Sequence, residues 1–435
     1  MSKPSENTAA SKDRILVCGV ILPGHPKEFE GELSEVRALV AAAEGEVVGE
    51  GILQRRDRPN PATLMGKGKV QEVKDAIDQF CPDAVVVDND LTPAQGRNLE
   101  KAWDVRVIDR SELILDIFAR RAQTRQASLQ VELAQNEYMR PRLRRLWTHL
   151  ERTEGAIGTR GPGETQLETD KRLLNKRITD LKAELGIIER RKQRQVATRV
   201  GQFTVGLVGY TNAGKSTLLN LLTGSNEFAA DMPFATLDTR TRKWILPDKR
   251  VVLLSDTVGF LQRLPHHLVA SFHATLEETL QADLLLHVID ASHPDAATQM
   301  AAVDEVLGSM SAHLEPGMLV MNKVDRVEDP LQLHLLTGHT DVDIVYISAK
   351  TGEGMDRLTD LVVRTLDEQS SVVDVFLPLS DGKTFSIVRS MGGFIEEECL
   401  EEEATMRMRL RLSHSSLGML QQKAGSQARF ESVGS

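Results

Sequence analysis

Hydrophobic positions along the chain alternate between short β-type runs and helical stretches in two separate regions. In the first region, the β-type runs are 14–20, 46–53, 84–88 and 105–108. The helix-like segments between them are 29–43, 70–80 and 93–103. In the second region, β-type runs separated by helical segments recur at 203–208, 251–255, 284–289, 318–321 and 343–347. Strands that alternate with helices predict parallel sheets covered by helices. We therefore expect an N-terminal small parallel α/β unit, followed later by a doubly wound α/β domain.

Between these regions the pattern becomes helical and dense in charge. Apolar residues recur with a heptad-like spacing at Leu174, Ile178, Leu181, Leu185 and Ile188. The preceding half is also helical in pattern, and Pro141 should interrupt it. The segment GAIGTRGPGET, 155–165, contains four glycines and separates the two halves. This order predicts an antiparallel helical hairpin with a glycine-rich tip, and a plain long linker is the alternative for the tip.

The C-terminal remainder reads as a small α+β domain. Two β-type runs, 373–377 and 406–412, flank the acidic run EEECLEEE at 396–403. The last dozen residues carry few apolar anchors, so we expect poor order there. The predicted domains are the N-terminal α/β domain at 1–110, the basic antiparallel helical hairpin at 111–198, the doubly wound α/β domain at 199–370 and the small C-terminal domain at 371–435.

Composition narrows the class of protein. The 435 residues are 41% hydrophobic and 27% charged, which excludes a disordered or collagen-like chain, and the net charge of −10 excludes a uniformly basic nucleic-acid coat. Cys18, Cys81 and Cys399 lie far apart and predict reduced core residues of an intracellular protein. The chain has neither a signal-peptide pattern nor an apolar run of membrane-spanning length. We expect a cytoplasmic protein without a membrane span, and a monomer.

One segment fits the phosphate-loop pattern GxxxxGK[ST] in full, with a β-type run before it and a helical run after it. Its residues are Gly209, Tyr210, Thr211, Asn212, Ala213, Gly214, Lys215 and Ser216. Glycines let the backbone curl so that N–H groups converge on phosphate oxygens, and the next helix directs its positive N-terminus at the same charge. Lys215 can neutralise the β- and γ-phosphates, and the Ser216 hydroxyl can bind Mg²⁺.

A second candidate follows the apolar strand VVLLS and consists of Asp256, Thr257, Val258 and Gly259. An acidic residue at such a strand end suits a carboxylate that faces Mg²⁺. Gly259 would allow a backbone N–H to approach the γ-phosphate. Alone, this tetrapeptide is equally typical of a turn after a strand. Its position 41 residues after Lys215 favours the nucleotide site.

Two further motifs, each after a β-type run, predict recognition of a purine base. The first is Asn322, Lys323, Val324 and Asp325, and the second is Ser348, Ala349 and Lys350. The Asp325 carboxylate can accept hydrogen bonds from guanine N1–H and the 2-amino group, whereas adenine would leave it unpaired. Lys323 can lay its stem over the base, Asn322 can tie loops together, and the second motif can supply a backbone N–H to guanine O6.

This set of motifs resembles a Ras-like GTPase domain of the translation-factor-related class over 203–370. The resemblance implies a first switch at Phe234, Ala235, Thr236, Leu237 and Asp238. It implies that Thr236 completes the Mg²⁺ shell, and that Lys215, Thr236 and Gly259 carry catalysis. From the residues alone, Thr239 and Thr241 compete with Thr236.

The sequence departs from that class at Phe260, where such domains often carry a glutamine that orients the attacking water. A phenyl ring can neither donate nor accept those hydrogen bonds, so intrinsic hydrolysis should be slow and depend on a partner or another side chain. His266 and His267 are candidates for that side chain, although solvent-facing or packing histidines are the more ordinary interpretation.

Charge is concentrated in the predicted hairpin. Residues 140–200 contain 16 basic and 8 acidic side chains in a chain that is acidic overall. A local positive surface favours contact with a phosphate backbone, and a glycine-rich tip with Arg160 could enter a narrow RNA pocket. An ordinary solvated helix face is the alternative.

The stretch GAIGTRGPGETQLETDKR, together with DTVGF and LPHHLVASFHATLEET, resembles the HflX family of ribosome-associated GTPases. The resemblance runs over nearly the whole chain except the C-terminal tail. It implies binding and activation on the large ribosomal subunit and its rRNA, through the hairpin at 140–200 and its tip at 155–165. It also implies the splitting or rescue of stalled or idle ribosomes under stress such as heat shock.

Two alternatives of other classes remain open on the sequence. One is a nucleotide-gated RNA or ribosome clamp for which hydrolysis is incidental, and the other is an ATP-driven RNA remodeller. Gly66, Lys67, Gly68 and Lys69 could form a second nucleotide site, but an exposed basic turn is the more ordinary interpretation of the same residues.

Overall fold

The computed structural model contains three β-sheets with eleven α-helices among the residues that it describes. Those residues are 12–23, 33–143, 162–196, 203–225, 234, 240–257, 259–261, 282–310, 317–328, 333, 336, 342–390, 394–400, 404–424 and 428–432. Contacts divide the chain into two compact units. The first comprises 1–185, 231–237 and 264–272, and the second comprises 186–230, 238–263 and 273–435. The mixed α/β class predicted from the sequence is confirmed, whereas the four domain boundaries stay a prediction.

The first unit contains a four-stranded parallel sheet in the order β2-β1-β3-β4. In chain order its elements are β1 Arg14–Ile21, α1 Ser34–Ala42, β2 Glu46–Arg55, α2 Lys67–Phe80, β3 Ala84–Val87, α3 Pro93–Trp103 and β4 Arg106–Asp109. Helix α2 begins three residues earlier than its hydrophobic pattern predicts. The Thr92 side chain caps α3 by accepting a hydrogen bond from the Gln95 N–H, and Gln95 Oε1 accepts one from the Thr92 N–H.

Helices complete the first unit. They are α4 Arg110–Arg121, α5 Arg125–Met139, a 3₁₀ turn at Arg140–Arg142 and the 35-residue α6 Pro162–Val196, whose residues 186–196 belong to the second unit. Pro141 lies in the 3₁₀ turn, so the predicted interruption is confirmed. Helix α6 already includes 162–165, and the predicted glycine-rich loop is therefore too long. Pro162 is the first residue of this helix, a position at which proline costs no hydrogen bond.

Paired charges join α5 to α6 within the first unit. Arg177 donates two hydrogen bonds, of 2.6 and 2.7 Å, to the carboxylate of Glu132. Arg125 pairs with Glu184 at 3.0 Å. Of the five heptad positions in the sequence pattern, three are buried, Ile178, Leu181 and Leu185, and the two outer ones are half-buried. The α5–α6 pair thus has a buried apolar row with ion pairs at its margin.

The second unit contains a six-stranded sheet in the order β10-β9-β8-β5-β7-β6. Its elements are β5 Thr204–Gly209, α7 Lys215–Thr223, β6 Arg240–Ile245, β7 Val251–Asp256, β8 Leu284–Asp290, α8 Ala296–Met310, β9 Met318–Asn322, β10 Asp343–Tyr346 and α9 Met355–Glu368. All neighbours are parallel except β6, which runs antiparallel to β7 at the sheet edge. The hydrophobic pattern does not reveal β6, because an edge strand needs few buried side chains: Trp244 is buried while Ile245 is 68% exposed.

An antiparallel sheet in the order β12-β13-β11-β14 forms the C-terminal part of the second unit. Its elements are β11 Ser370–Pro378, α10 Gly382–Ser390, β12 Phe394–Leu400, β13 Thr405–Ser413, α11 His414–Lys423 and β14 Arg429–Ser432. Most of the acidic run forms strand β12, which follows β11 and precedes β13 in the chain. Residues 429–432, in the tail expected to be poorly ordered, form β14, which corrects that expectation. Charged side chains pair across neighbouring strands of this sheet: Asp374 of β11 accepts hydrogen bonds from both Arg407 and Arg409 of β13.

The three cysteines differ in their burial. Cys18 is buried as expected, but Cys81 and Cys399 are exposed and do not belong to a core. Among the helices that the structure describes, none has the length and apolar character needed to cross a membrane.

Candidate nucleotide-binding site

The predicted phosphate loop joins the end of β5 to the start of α7, at the carboxyl edge of the six-stranded sheet. Gly209 and Gly214 have φ angles of 151° and 95°, which strain any residue with a side chain. A Cβ on Gly209 would lie 2.2 Å from the Val288 carbonyl oxygen, and one on Gly214 would lie 2.2 Å from Nδ2 of Asn322. Close packing therefore demands glycine at both ends of the loop.

Lys215 is buried beneath this loop. Its Nζ donates to the carbonyl oxygens of Gly209 at 2.9 Å and Tyr210 at 2.8 Å. Burial lowers the pKa of Lys215 to about 8, against an opposing effect of the Asp256 carboxylate. The ammonium group is thus held at the loop by backbone oxygens, where it can meet phosphate charge.

The hydroxyl predicted to bind Mg²⁺ and the carboxylate predicted to face the ion lie together. Ser216 Oγ, in the first turn of α7, donates to Asp256 Oδ2 at 2.8 Å. Thr257, fully buried, donates from Oγ1 to the Leu207 carbonyl oxygen at 2.7 Å and so fixes the end of β7 against β5. A hydroxyl beside a carboxylate at a helix N-terminus is the oxygen set that Mg²⁺ prefers in phosphate sites. These residues fit the ion.

The segment after Asp256 is tied to the phosphate loop by two backbone hydrogen bonds. The Thr211 N–H donates to the Phe260 carbonyl oxygen at 2.7 Å, and the Phe260 N–H donates to the Gly209 carbonyl oxygen at 3.1 Å. A Cβ on Gly259 would lie 2.7 Å from Thr211 Cγ2. Phe260 itself is 2% exposed, so its ring is a packing group in the interior.

The two base-recognition motifs meet through Asn322 at the end of β9. Its Nδ2 donates to the Ala213 carbonyl oxygen at 2.8 Å, and its Oδ1 accepts from the Ala349 N–H at 2.9 Å. One side-chain amide therefore joins the phosphate loop to the segment after β10. Asp325 lies exposed in the 3₁₀ turn Val324–Arg326, three residues farther along the chain.

The donors after β10 are partly used within the protein. Ser348 is fully buried, and its N–H donates to the Glu353 carbonyl oxygen at 3.0 Å. The Ala349 N–H donates to Asn322, as above. Within the described part of the chain, the exposed Lys350 has no hydrogen bond from its N–H, which leaves that group available to a ligand.

His287, which no sequence motif singles out, lies on the buried strand β8. The side chain is 1% exposed, and its Nδ1 is 3.7 Å from Asp304 Oδ1. Burial lowers the pKa of His287 to about 4, with a smaller contribution from the positive charge of Lys215. The signal was present as one polar residue within the run LLLHVID.

Of the predicted first switch, only Phe234 is described. It belongs by its contacts to the first unit, has a φ angle of 57° and is 1% exposed. Its ring packs edge-to-face on Phe118 of α4, with centroids 4.5 Å apart. The other predicted residues that lie outside the described chain are Ala235, Thr236, Leu237, Asp238, Thr239, Val258, His266, His267 and the glycine-rich segment 155–161.

The weaker candidate at Gly66 lies at the start of α2 in the first unit. The Gly66 N–H donates to Gln54 Oε1 at 2.8 Å, so this amide serves the fold. Lys69 pairs with Glu72 at 2.7 Å. Gly66 is the N-cap of α2, and the next three residues, exposed or half-buried, form the first turn of that helix.

A parallel sheet with a strand, a glycine-bounded loop and a helix that carries lysine and serine defines a P-loop nucleotide-binding protein. The Asn322 bridge and the Asp325 turn indicate the GTPase class within it. Three family models match the chain: "GTP-binding GTPase N-terminal" over 30–119, "GTP-binding GTPase Middle Region" over 121–199 and "50S ribosome-binding GTPase" over 204–323.

Curated relatives cover nearly the full length. A GTPase HflX from Caldanaerobacter subterraneus subsp. tengcongensis is 41% identical, with 92% of each chain covered. A GTPase HflX from Escherichia coli K12 is 43% identical, with 89% of this chain and 90% of the relative covered. The chain belongs to the HflX family of GTPases, and it is therefore an enzyme that hydrolyses GTP.

Solved structures are more distant. A GTP-binding protein from Sulfolobus solfataricus in complex with GDP is 24% identical, has a TM-score of 0.43, and is matched over 81% of this chain and 98% of its own.

Proposed function

We propose that this GTPase binds GTP with Mg²⁺ at the phosphate loop and uses the cycle of binding and hydrolysis to act on the large ribosomal subunit. In this proposal it works as a monomer in the cytoplasm and splits or rescues stalled or idle ribosomes under stress such as heat shock. The observation that carries the nucleotide site is the Asn322 bridge, since one amide holds the phosphate loop and the base-recognition segment together.

Lys215 and the N-terminus of α7 supply the positive charge for the phosphates. Ser216 and Asp256 would hold Mg²⁺, with Thr236 as a further ligand, and the ion would neutralise charge that develops on the phosphate oxygens. Gly259 would bring its N–H to the γ-phosphate. Release of that phosphate would free both switches, which is the usual device of this class.

Guanine would be recognised by the Asp325 carboxylate, through N1–H and the 2-amino group. The Lys350 N–H, which has no acceptor in the described chain, is the donor suited to O6. Lys323 would cover the face of the base with its stem.

Slow intrinsic turnover is part of the proposal. Phe260 occupies the place where a water-orienting side chain is common, and its ring is buried. Without a polar group there, the attacking water lacks a positioned partner. Activation would come from the ribosome, with His266 and His267 as candidate side chains.

Exposed charge on α6 supports contact with rRNA. Several of its basic residues pair with acidic neighbours, but Lys171, Arg172, Lys176, Arg190 and Arg191 are exposed. Exposed cations on a helix are suited to contact with a phosphate backbone. The glycine-rich segment at 155–165, with Arg160, would extend this surface into the subunit.

The proposal is tested by measuring GTP hydrolysis with and without purified large subunits, and by cosedimentation in GDP and in a non-hydrolysable GTP analogue. Stimulated hydrolysis and binding that favours the analogue would support it. An unchanged rate and no cosedimentation would overturn the ribosome-linked part while leaving the GTPase intact. Competition between GTP and ATP separates it from an ATP-driven remodeller.

A nucleotide-gated clamp is the second candidate, favoured by the buried Phe260. A variant that binds GTP but does not hydrolyse it discriminates between the two. A clamp would keep its effect on ribosomal subunits in that variant. A hydrolysis-driven protein would instead complete a single round of action and could not be released for another.

A further inference from the structure

A partly buried ion pair links two strand ends beside the base-recognition turn. Asp290 ends β8, and the parallel register of the sheet pairs it with Asn322 at the end of β9. Lys323 follows with a φ angle of 63°, which turns the chain out of the strand. Its Nζ lies 2.7 Å from Asp290 Oδ2, and the two side chains are 16% and 11% exposed.

The carboxylate of Asp290 is itself held in place. Its Oδ1 accepts hydrogen bonds from the Ser292 N–H at 3.1 Å and from Ser292 Oγ at 2.6 Å. Because one oxygen is fixed by Ser292, the other presents a fixed partner to the ammonium group of Lys323. A charge pair at this burial is less screened than one on the open surface.

Asp325 lies two residues beyond Lys323 in the same tight turn and is exposed. Within the described residues, no hydrogen bond or ion pair engages its carboxylate. If Lys323 lost Asp290, the ammonium group would find Asp325 as the nearest carboxylate along the chain. A charge-assisted bond there would occupy the oxygens needed for a base.

We propose that Asp290 is a positioning residue for guanine recognition. It holds the ammonium group of Lys323 away from Asp325, so that Asp325 keeps both oxygens for N1–H and the 2-amino group. The same ion pair aligns the stem of Lys323 for contact with the base face. This inference rests on the base recognition by Asp325 that is proposed above.

The test measures the dissociation constants of GDP and inosine diphosphate by calorimetry on the full chain. Inosine lacks only the 2-amino group, so the ratio of the two constants reports on Asp325. We expect Asp290→Asn to reduce that ratio about tenfold, the loss of one hydrogen bond to a charged group. The double variant Asp290→Asn/Lys323→Met keeps an apolar stem at position 323 but has no ammonium group there. It should restore the ratio to within about twofold of its value in the original protein.

Glu328→Gln is the matched control, since it changes an exposed carboxylate of the same loop to an amide and should leave the ratio unchanged. In GTP hydrolysis, the kcat of Asp290→Asn should stay within about twofold of that of the original protein, while its KM for GTP rises. Should Asp290→Asn fold poorly, Ser292→Ala loosens the same carboxylate and should shift the ratio in the same direction by a smaller factor.

An unchanged ratio in Asp290→Asn overturns the inference. Failure of Lys323→Met to restore the ratio overturns the charge-holding role and leaves Asp290 a structural residue. If the original protein has no preference for GDP over inosine diphosphate, base recognition by Asp325 fails as well, and the two failures are thereby distinguished.

Discussion

Ser216 and Asp256, 40 residues apart in the chain, meet through a 2.8 Å hydrogen bond from hydroxyl to carboxylate. The bond joins the first turn of α7 to the end of β7. Hydroxyl and carboxylate oxygens are the ligands that a hard cation prefers, and the hydrogen bond keeps the two groups oriented toward each other. The proposed Mg²⁺ site is therefore organised by the fold.

Ser216→Ala should weaken the dependence of nucleotide binding on Mg²⁺. The hydroxyl is a proposed ligand, and its loss also frees the Asp256 carboxylate, so the apparent Mg²⁺ affinity of the GDP complex should fall at least about tenfold. Titration of Mg²⁺ against the GDP-bound protein measures this. Ser225→Ala, which removes a hydroxyl beyond the end of the same helix, is the control. Equal Mg²⁺ dependence in both variants would refute the assignment of Ser216.

Gly209→Ala should lower the free energy of unfolding by about 3 kcal/mol, because the added methyl group meets a backbone oxygen at 2.2 Å and the φ angle is positive. Gly224→Ala is the matched control. It also has a positive φ angle, but no atom lies within 4 Å of the methyl group that this substitution would add, so it should cost about 1 kcal/mol. Urea unfolding gives both values, and equal losses would contradict the close packing at Gly209.

Asp325→Asn should remove the preference for guanine nucleotides. The amide can no longer accept both purine hydrogen bonds, but its NH₂ group can donate to the 2-oxo group of xanthine. We expect the affinity for GDP to fall about 100-fold and that for xanthosine diphosphate to rise. Competition binding measures both, and retained GDP selectivity would show that another residue recognises the base.

His287 should make the protein less stable in acid. Its folded pKa of about 4 lies below its ordinary value of 6.5, so the unfolded chain binds the extra proton between these values. Stability is fully present above pH 6.5 and is lost as the pH falls toward 4. Between pH 7.5 and pH 5 this group should cost about 2 kcal/mol.

Urea unfolding of the nucleotide-free protein at both pH values tests this, with His287→Gln as the comparison. The variant should lose less stability over the same interval, since glutamine does not titrate. An identical loss in both proteins would mean that other groups account for the acid sensitivity. Asp304, 3.7 Å from His287, and the buried Lys215 are the charged groups to consider first.

Much of the fold follows from local pattern, because the central strands are continuous apolar runs with helices between them. The strand β8 is buried throughout, as its sequence implies. Strands at the edges of the sheets are harder to predict from the sequence. Strand β6 buries mainly Trp244, and the glutamates of β12 lie on an exposed edge where arginines of β13 neutralise them, so neither has a hydrophobic signal.

The candidate site divides in a similar way. Motif spacing identified the phosphate loop and Asn322, since their chemistry requires fixed residue types in a fixed order. Sequence could not identify Asp290 or His287, because their roles depend on which strand ends become neighbours in the sheet. The ion pair of Asp290 with Lys323 joins residues 33 positions apart, a relation set by the register of β8 and β9.

The amide of Asn322 has one further consequence. A planar group that contacts Ala213 on one side and Ala349 on the other cannot rotate to suit one neighbour without disturbing the second. The two halves of a bound nucleotide would therefore be sensed cooperatively: pyrophosphate and guanosine, offered as separate fragments, would each help the other to bind. A purine that fits poorly in the base site would in turn weaken the binding of the triphosphate.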